Sequence, residues 1–152
     1  MSGSNTTTAD TSGFLEVLAT YFEAFAEHDA ARRGELLARC LTPDAAILGH
    51  SRVFTGYAAI SEKIAGFHNN WPDCRLVLAS GLFAFENIVR AANAIVRLDG
   101  SVLARGESVS EIASDGRICR VVPLWDMTLP PLPDGWPEHL AAPPQPKAPN
   151  AA

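Results

Sequence analysis

The segment Ser101–Met127, SVLARGESVSEIASDGRICRVVPLWDM, constrains the fold more than any other stretch, because it reads as one long β-hairpin. Asp115-Gly116 is its turn: a two-residue type I′ loop needs positive φ at both positions, and Asp-Gly supplies that at low steric cost. Closing the hairpin there pairs Ala113 with Ile118, sets Glu111 opposite Arg120, and sets Arg105 opposite Asp126. Opposite charges facing each other across a ladder contribute roughly 0.2–1 kcal/mol each, so this face is expected to be salt-bridged and outward. The other face carries Gly106 with Trp125, Ser108 with Pro123, Ser110 with Val121 and Ile112 with Cys119. A three-residue loop would slip the register by one and put Ser110 opposite Arg120. The two-residue loop is the reading adopted.

The chain has 152 residues, 47% of them hydrophobic, which predicts one globular domain with ordinary core-forming capacity. Its net charge of −5 offers no basic excess for nucleic acid or an anionic membrane surface. No apolar run approaches the roughly 20 residues of a membrane helix. The start, MSGSNTTTADTSG, lacks the basic and apolar parts of a signal peptide, so a cytoplasmic location is expected. Cys40, Cys74 and Cys119 are far apart and match no CxxC or Cys/His zinc spacing. They are expected to be reduced packing residues, with no metal and no cofactor.

Residues 1–12 are rich in Ser, Thr, Gly and Asn and are expected to be disordered. The folded domain spans 13–128. Phe14, Leu18, Phe22, Phe25 and Ala26 recur at helical spacing and predict a helix to about Asp29. Asp29 caps a second helix with Leu36, Leu37, Cys40 and Leu41 on its buried side, ending before Thr42-Pro43. A short strand follows over Asp44–Gly49, then a loop with His50, Ser51 and Arg52. Gly56 opens a third helix, striped by Ile60, Ile64 and Phe67, which stops at Asn69-Asn70-Trp71-Pro72.

Beyond this the period changes. Arg75–Phe85 and Asn87–Arg97 read as strands, with Gly81 marking a bend and Asp99-Gly100 a second turn before the hairpin. Three helices gathered on one face of an antiparallel sheet make an α+β fold. Residues 129–152 carry so many prolines that neither strand nor long helix is expected, only an extended tail. That tail is either a plain linker or a proline-rich ligand for a partner.

The order of these pieces resembles the nuclear-transport-factor-2-like (NTF2-like) superfamily in its SnoaL-like branch. The matching stretches are YFEAFAEHD at Tyr21–Asp29, LLARCLTPDAAI, GYAAISEKIAGF at Gly56–Phe67, ARGESVSEIASDGRI and RVVPLWD, spanning about residues 14–127. The resemblance implies a cone: a strongly curved sheet wrapped around the first helix, open at one end. It also implies a homodimer through the outer sheet face. The superfamily includes steroid isomerases, polyketide cyclases, epoxide hydrolases, dehydratases and non-catalytic binding domains, so fold leaves the chemistry open.

Each chemistry the resemblance implies asks for carboxylates. The steroid-isomerase pattern takes a tyrosine from helix one, which Tyr21 supplies, but Gly49-His50 stands where its base carboxylate belongs. The cyclase pattern places an acid in the hairpin as G-x-D, where this chain reads Gly106-Glu107-Ser108 and the register turns Glu107 outward. The epoxide-hydrolase set is mimicked by Arg97, Asp99 and Asp126, yet Asp99 belongs to a turn.

His50 remains as a candidate catalytic base at the cone mouth, since an imidazole titrates near neutral pH. Asn93 interrupts the apolar run AANAIV, and an inward amide needs a partner: a ligand, a water or a backbone group. Tyr21, Phe25, Phe54, Phe67, Trp71 and Trp125 are candidates to line an apolar ligand pocket, with Asn93 and Ser108 as its polar contacts. His28, His68 and His139 are read as surface. Two functions stay open. One is an isomerase, cyclase or lyase acting on a small hydrophobic molecule without metal; the other is a non-catalytic binding or assembly domain.

Overall fold

The computed structural model describes residues 12–126 and 131–143. Helix α1 runs Ser12–Ala26, α2 Ala30–Cys40 and α3 Gly56–Asn70. The first ends three residues earlier than expected because Asp29 belongs to the next helix: its carboxylate accepts from Arg32 N at 2.8 Å as the α2 N-cap. Seven strands follow the pattern β1 Leu41–Leu48, β2 Val53–Thr55, β3 Cys74–Leu78, β4 Phe83–Phe85, β5 Ile88–Arg97, β6 Val102–Ile112 and β7 Ile118–Trp125. Strand β1 begins at Leu41, which is already extended and closes α2, so that residue leaves the helix to which its apolar character had assigned it. Three-residue β2, too short to show a period, is additional to the expected set. The single strand expected over Arg75–Phe85 is two, β3 and β4, each paired with β5.

The sheet order is β2-β1-β7-β6-β5-β3, with β4 also on β5. All neighbours are antiparallel except β1 and β7, which run parallel, so the sheet is mixed. It is not strongly curled, unlike the bend that the resemblance implied. The β5–β6 ladder keeps one register from Ile88↔Glu111 to Ile95↔Ala104 and breaks only past that point. Bulges are the device that bends a sheet sharply, and this wall has none at its centre. Helices cover one face, where Leu18, Tyr21, Ala24, Leu37, Cys40, Ile47, Ile60, Ile64, Ile118 and Val121 form the buried core.

The two Asp-Gly turns close alike. At the hairpin tip Gly116 N donates to Ala113 O at 2.9 Å and Ala113 N donates to Arg117 O at 2.8 Å, so the loop has three residues. Gly116 has φ of +86° while Asp115 is not in the left-handed region, which rules out the expected type I′ turn. Asp115 instead accepts from Arg117 N at 3.0 Å and pairs with the Arg117 guanidinium at 2.9 Å, an Asx arrangement that holds it in a right-handed turn. Asp99-Gly100 repeats this, with Gly100 at φ +87° and Asp99 accepting from Ser101 N at 2.8 Å.

A three-residue loop should have slipped the register. A bulge corrects it: Ile112 pairs with Ile118 but Glu111 pairs with Arg120, leaving Cys119 as the extra residue of β7. Gly106↔Trp125, Glu107↔Leu124 and Ser108↔Pro123 therefore stand as read from the sequence. The charges pair differently. Among the described residues the ion pairs are Arg90–Glu107 at 2.8 Å, Arg117–Asp115 at 2.9 Å and Arg32–Glu27 at 3.4 Å, and neither expected pair forms a side-chain bridge.

Ser12 is helical, and the other eleven residues of the segment expected to be disordered lie outside the described residues. Of the expected tail, 131–143 hold a turn and one 3-10 turn, Glu138–Leu140; residues 129, 130 and 144–152 lie outside the described part. Among the described residues no helix is long and apolar enough to cross a membrane.

Nothing lies within 4 Å of a Cβ built on Gly116, so Gly116→Ala isolates the cost of its backbone conformation. We expect a loss of about 1 kcal/mol in chemical denaturation, the left-handed penalty of a residue with a Cβ.

Candidate functional site

Alternation along the strands decides which side chains meet the helices. From β5 come Asn93 and Ile95, from β6 Ser108, from β7 Val121, Pro123 and Trp125, and from β3 Leu76. The helices answer with pairs four residues apart, Tyr21 and Phe25 on α1 and Lys63 and Phe67 on α3. Together they line a partly enclosed cavity of about 170 Å³. Ring centroids of Tyr21 and Phe25 are 5.1 Å apart and those of Phe25 and Phe67 6.4 Å apart, giving one aromatic wall. Gly106 shapes the opposite wall: a Cβ there would sit 2.7 Å from Trp125 Cε3 and 2.6 Å from Leu124 O. The missing side chain lets the indole lie over the strand beside the cavity.

Polar groups in this lining are few. Asn93 is 5% exposed, and its Nδ2 donates to Ser108 Oγ at 2.8 Å. Its Oδ1 is buried with no partner. An unpaired buried acceptor costs about 1–3 kcal/mol, so its presence in a cavity wall calls for an explanation. Ser108 Oγ accepts from Asn93, which leaves its own hydrogen to donate. Burial pushes the Tyr21 hydroxyl well above its ordinary value, and nearby Cys40 adds to this, so Tyr21 keeps its proton and acts as a donor. Burial likewise pushes the Cys40 thiol up to about 12, which makes it packing rather than nucleophile.

Lys63 is the single charged residue in the lining. Burial first, and then the charge of Arg52, lower its pKa from the ordinary 10.5. Its Nζ lies 4.9 Å from the Phe54 ring centroid, and the Arg52 guanidinium carbon lies 4.3 Å from the same centroid. Gly49 makes room for that ring, since a Cβ there would come within 2.8 Å of Phe54 Cε2 and Arg52 O.

Of the residues singled out in the sequence, Tyr21, Phe25, Phe67, Asn93, Ser108 and Trp125 meet in the cavity, and His50, Phe54 and Trp71 do not. His50 is exposed at the bend after β1, and Trp71 is 46% exposed beyond the end of α3. Phe54 lies beneath the two cations and packs on the core. Glu107 points away with Leu124 and is held by Arg90, with two hydrogen bonds of 2.9 Å, so the lining contains no carboxylate. Asp99 is confined to its turn. His28 lies between helices rather than on one; its ring stacks on half-buried His68, 4.0 Å between centroids, whose Nε2 donates to Phe25 O at 2.6 Å.

Lys63, Leu76, Ile95, Val121 and Pro123 were missed. Val121 and Pro123 share the inward parity of Trp125, and Leu76 faces Ile95 across the β3–β5 ladder, so the pattern contained them. Lys63 had no such signal, because a lysine beside an apolar stripe reads as solvent-facing. No three His, Cys, Asp or Glu side chains converge on a metal site among the described residues.

Removing the partly buried ammonium should stabilise the protein. The folded-state pKa of Lys63 lies below the unfolded value, so the unfolded state binds more protons in the interval between them and stability rises with pH there. Lys63→Met is expected to melt higher than the native protein at pH 7, with the advantage shrinking as pH climbs towards 10.5, measured as paired thermal melts across that range.

No family model matches the sequence, and no curated protein matches it either. Solved structures do. A candidate isomerase of the SnoaL-like family from Agrobacterium tumefaciens is 26% identical with a TM-score of 0.70, covering 76% of this chain and 98% of its own. A candidate SnoaL-like polyketide cyclase from a Jannaschia species is 15% identical, TM-score 0.60, with 75% and 85% covered. An NTF2-like protein from an Exiguobacterium species is 19% identical, TM-score 0.56, with 74% and 99% covered. The last two speak to the fold alone. With three helices on one face of a seven-stranded mixed sheet, and these neighbours, the chain has the NTF2-like fold and is similar to proteins of its SnoaL-like branch.

Proposed function

We propose that the cavity binds a small, mostly apolar organic molecule, and that binding rather than turnover is its primary task. The unpaired Asn93 Oδ1 carries this reading: a nearly buried acceptor in an aromatic-lined cavity marks where a ligand donor belongs. Ser108 and Tyr21 offer donors in the same lining. A volume near 170 Å³ is on the scale that admits one benzene-sized ring. The isomerase, cyclase or lyase chemistry of the resemblance calls for a carboxylate that the lining lacks, which favours binding over turnover.

Phenol and toluene test the binding reading, since they differ by the hydroxyl that Asn93 would accept. Calorimetry should find phenol bound more tightly than toluene by the native protein. Asn93→Leu should erase a preference of roughly 5- to 150-fold, the equivalent of about 1–3 kcal/mol for one buried hydrogen bond. Equal affinity in the native protein would refute the assignment, and chemical conversion of a bound compound would overturn the non-catalytic part.

The outer sheet face is the proposed site of homodimerisation. Phe83 and Phe85 are 67% and 65% exposed there, continuing across the ladder from Arg90 to Val109 and Val122. Light scattering should report a dimer, and Leu124→Asp on that face should convert it to monomer without loss of ligand binding.

A further inference from the structure

Lys63 lacks the partner that its surroundings require. No carboxylate among the described residues lies within ion-pair distance of it. Arg52 brings a second positive charge to the same Phe54 ring, within 4.3 Å of its centroid against 4.9 Å for Lys63 Nζ. An aromatic face attracts a cation only weakly, and it does not offset partial burial beside a like charge. Lys63 is the one charged residue of an otherwise neutral lining, with Arg52 outside it, and an anion completes that arrangement.

We propose that the ligand is a small organic carboxylate, with its apolar body against Tyr21, Phe25 and Phe67 and its carboxylate at Lys63 Nζ, Arg52 adding positive charge nearby. This rests on the binding reading above and narrows its ligand to an acid whose body also carries a donor for Asn93 Oδ1, such as a hydroxyl, while the carboxylate takes the Lys63 end. One ammonium on an apolar wall suits a flat monoanion, whereas a phosphate asks for several donors converging on it. The enclosed part of the cavity, about 170 Å³, suits a single ring or a short branched chain.

Benzoate, benzamide and toluene share one shape and differ in charge and polarity, so calorimetric titration of the full chain with each separates the terms. Benzoate should bind at least about tenfold more tightly than benzamide. Lys63→Met should abolish that preference, Lys63→Arg should retain most of it, and Arg52→Gln should reduce it about threefold, Arg52 being the more exposed cation. Thermal melts establish that each variant is folded. Equal affinity for benzoate and benzamide, or a preference that survives Lys63→Met, overturns the carboxylate assignment while leaving the binding reading intact. Failure of all three compounds to bind overturns both.

Discussion

Everything at the cavity depends on the register between β6 and β7. That register rests on two compensating departures from an ideal hairpin: a three-residue loop shifts the pairing by one and the bulge at Cys119 shifts it back. Without the bulge, one strand would present its other face to the helices. Trp125 and Pro123 would turn outward and Leu124 would take their place. The Asx bond of Asp115 and the left-handed glycine behind it thus govern side chains nine residues further along the chain.

Polarity in the cavity is spent sparingly and at some cost to the fold. An unsatisfied amide oxygen and a partly buried ammonium each oppose folding, and a purely structural domain would have replaced both with apolar groups. Around them the packing is ordinary, with Ile60, Ile64, Ile118 and Leu37 fully buried. Local violations of good packing on an otherwise consistent frame are what a site looks like when binding, not stability, has set its residues.

Much of this was legible in the residues. The Ile60, Ile64 and Phe67 stripe announced α3, Asp29 announced its cap, and alternation in the hairpin placed Ser108 and Trp125 inward. Asn93 stood out because it broke an apolar run. The errors share a cause, which is that local pattern says little about tertiary geometry. His50 has the right chemistry for a base, but the bend after β1 turns it to solvent. Lys63 has the wrong look for a cavity residue, yet α3 places it in the lining, four residues before Phe67. The loop length at Asp115-Gly116 was misread because side-chain capping of the turn competes with the positive φ that the dipeptide permits.

The parallel pairing of β1 with β7 has a consequence for how the chain reaches this state. Ile47 lies beside Val121, so an early strand must wait for the last one before it has a neighbour other than short β2. Such a distant closure is slow, because the loop entropy of all the intervening chain is lost before the contact forms. On a ribosome, helices and β3 to β6 can assemble while β1 still presents an open edge. The wall bearing Val121, Pro123 and Trp125 belongs to the last strand, so the cavity is complete only once β7 has paired.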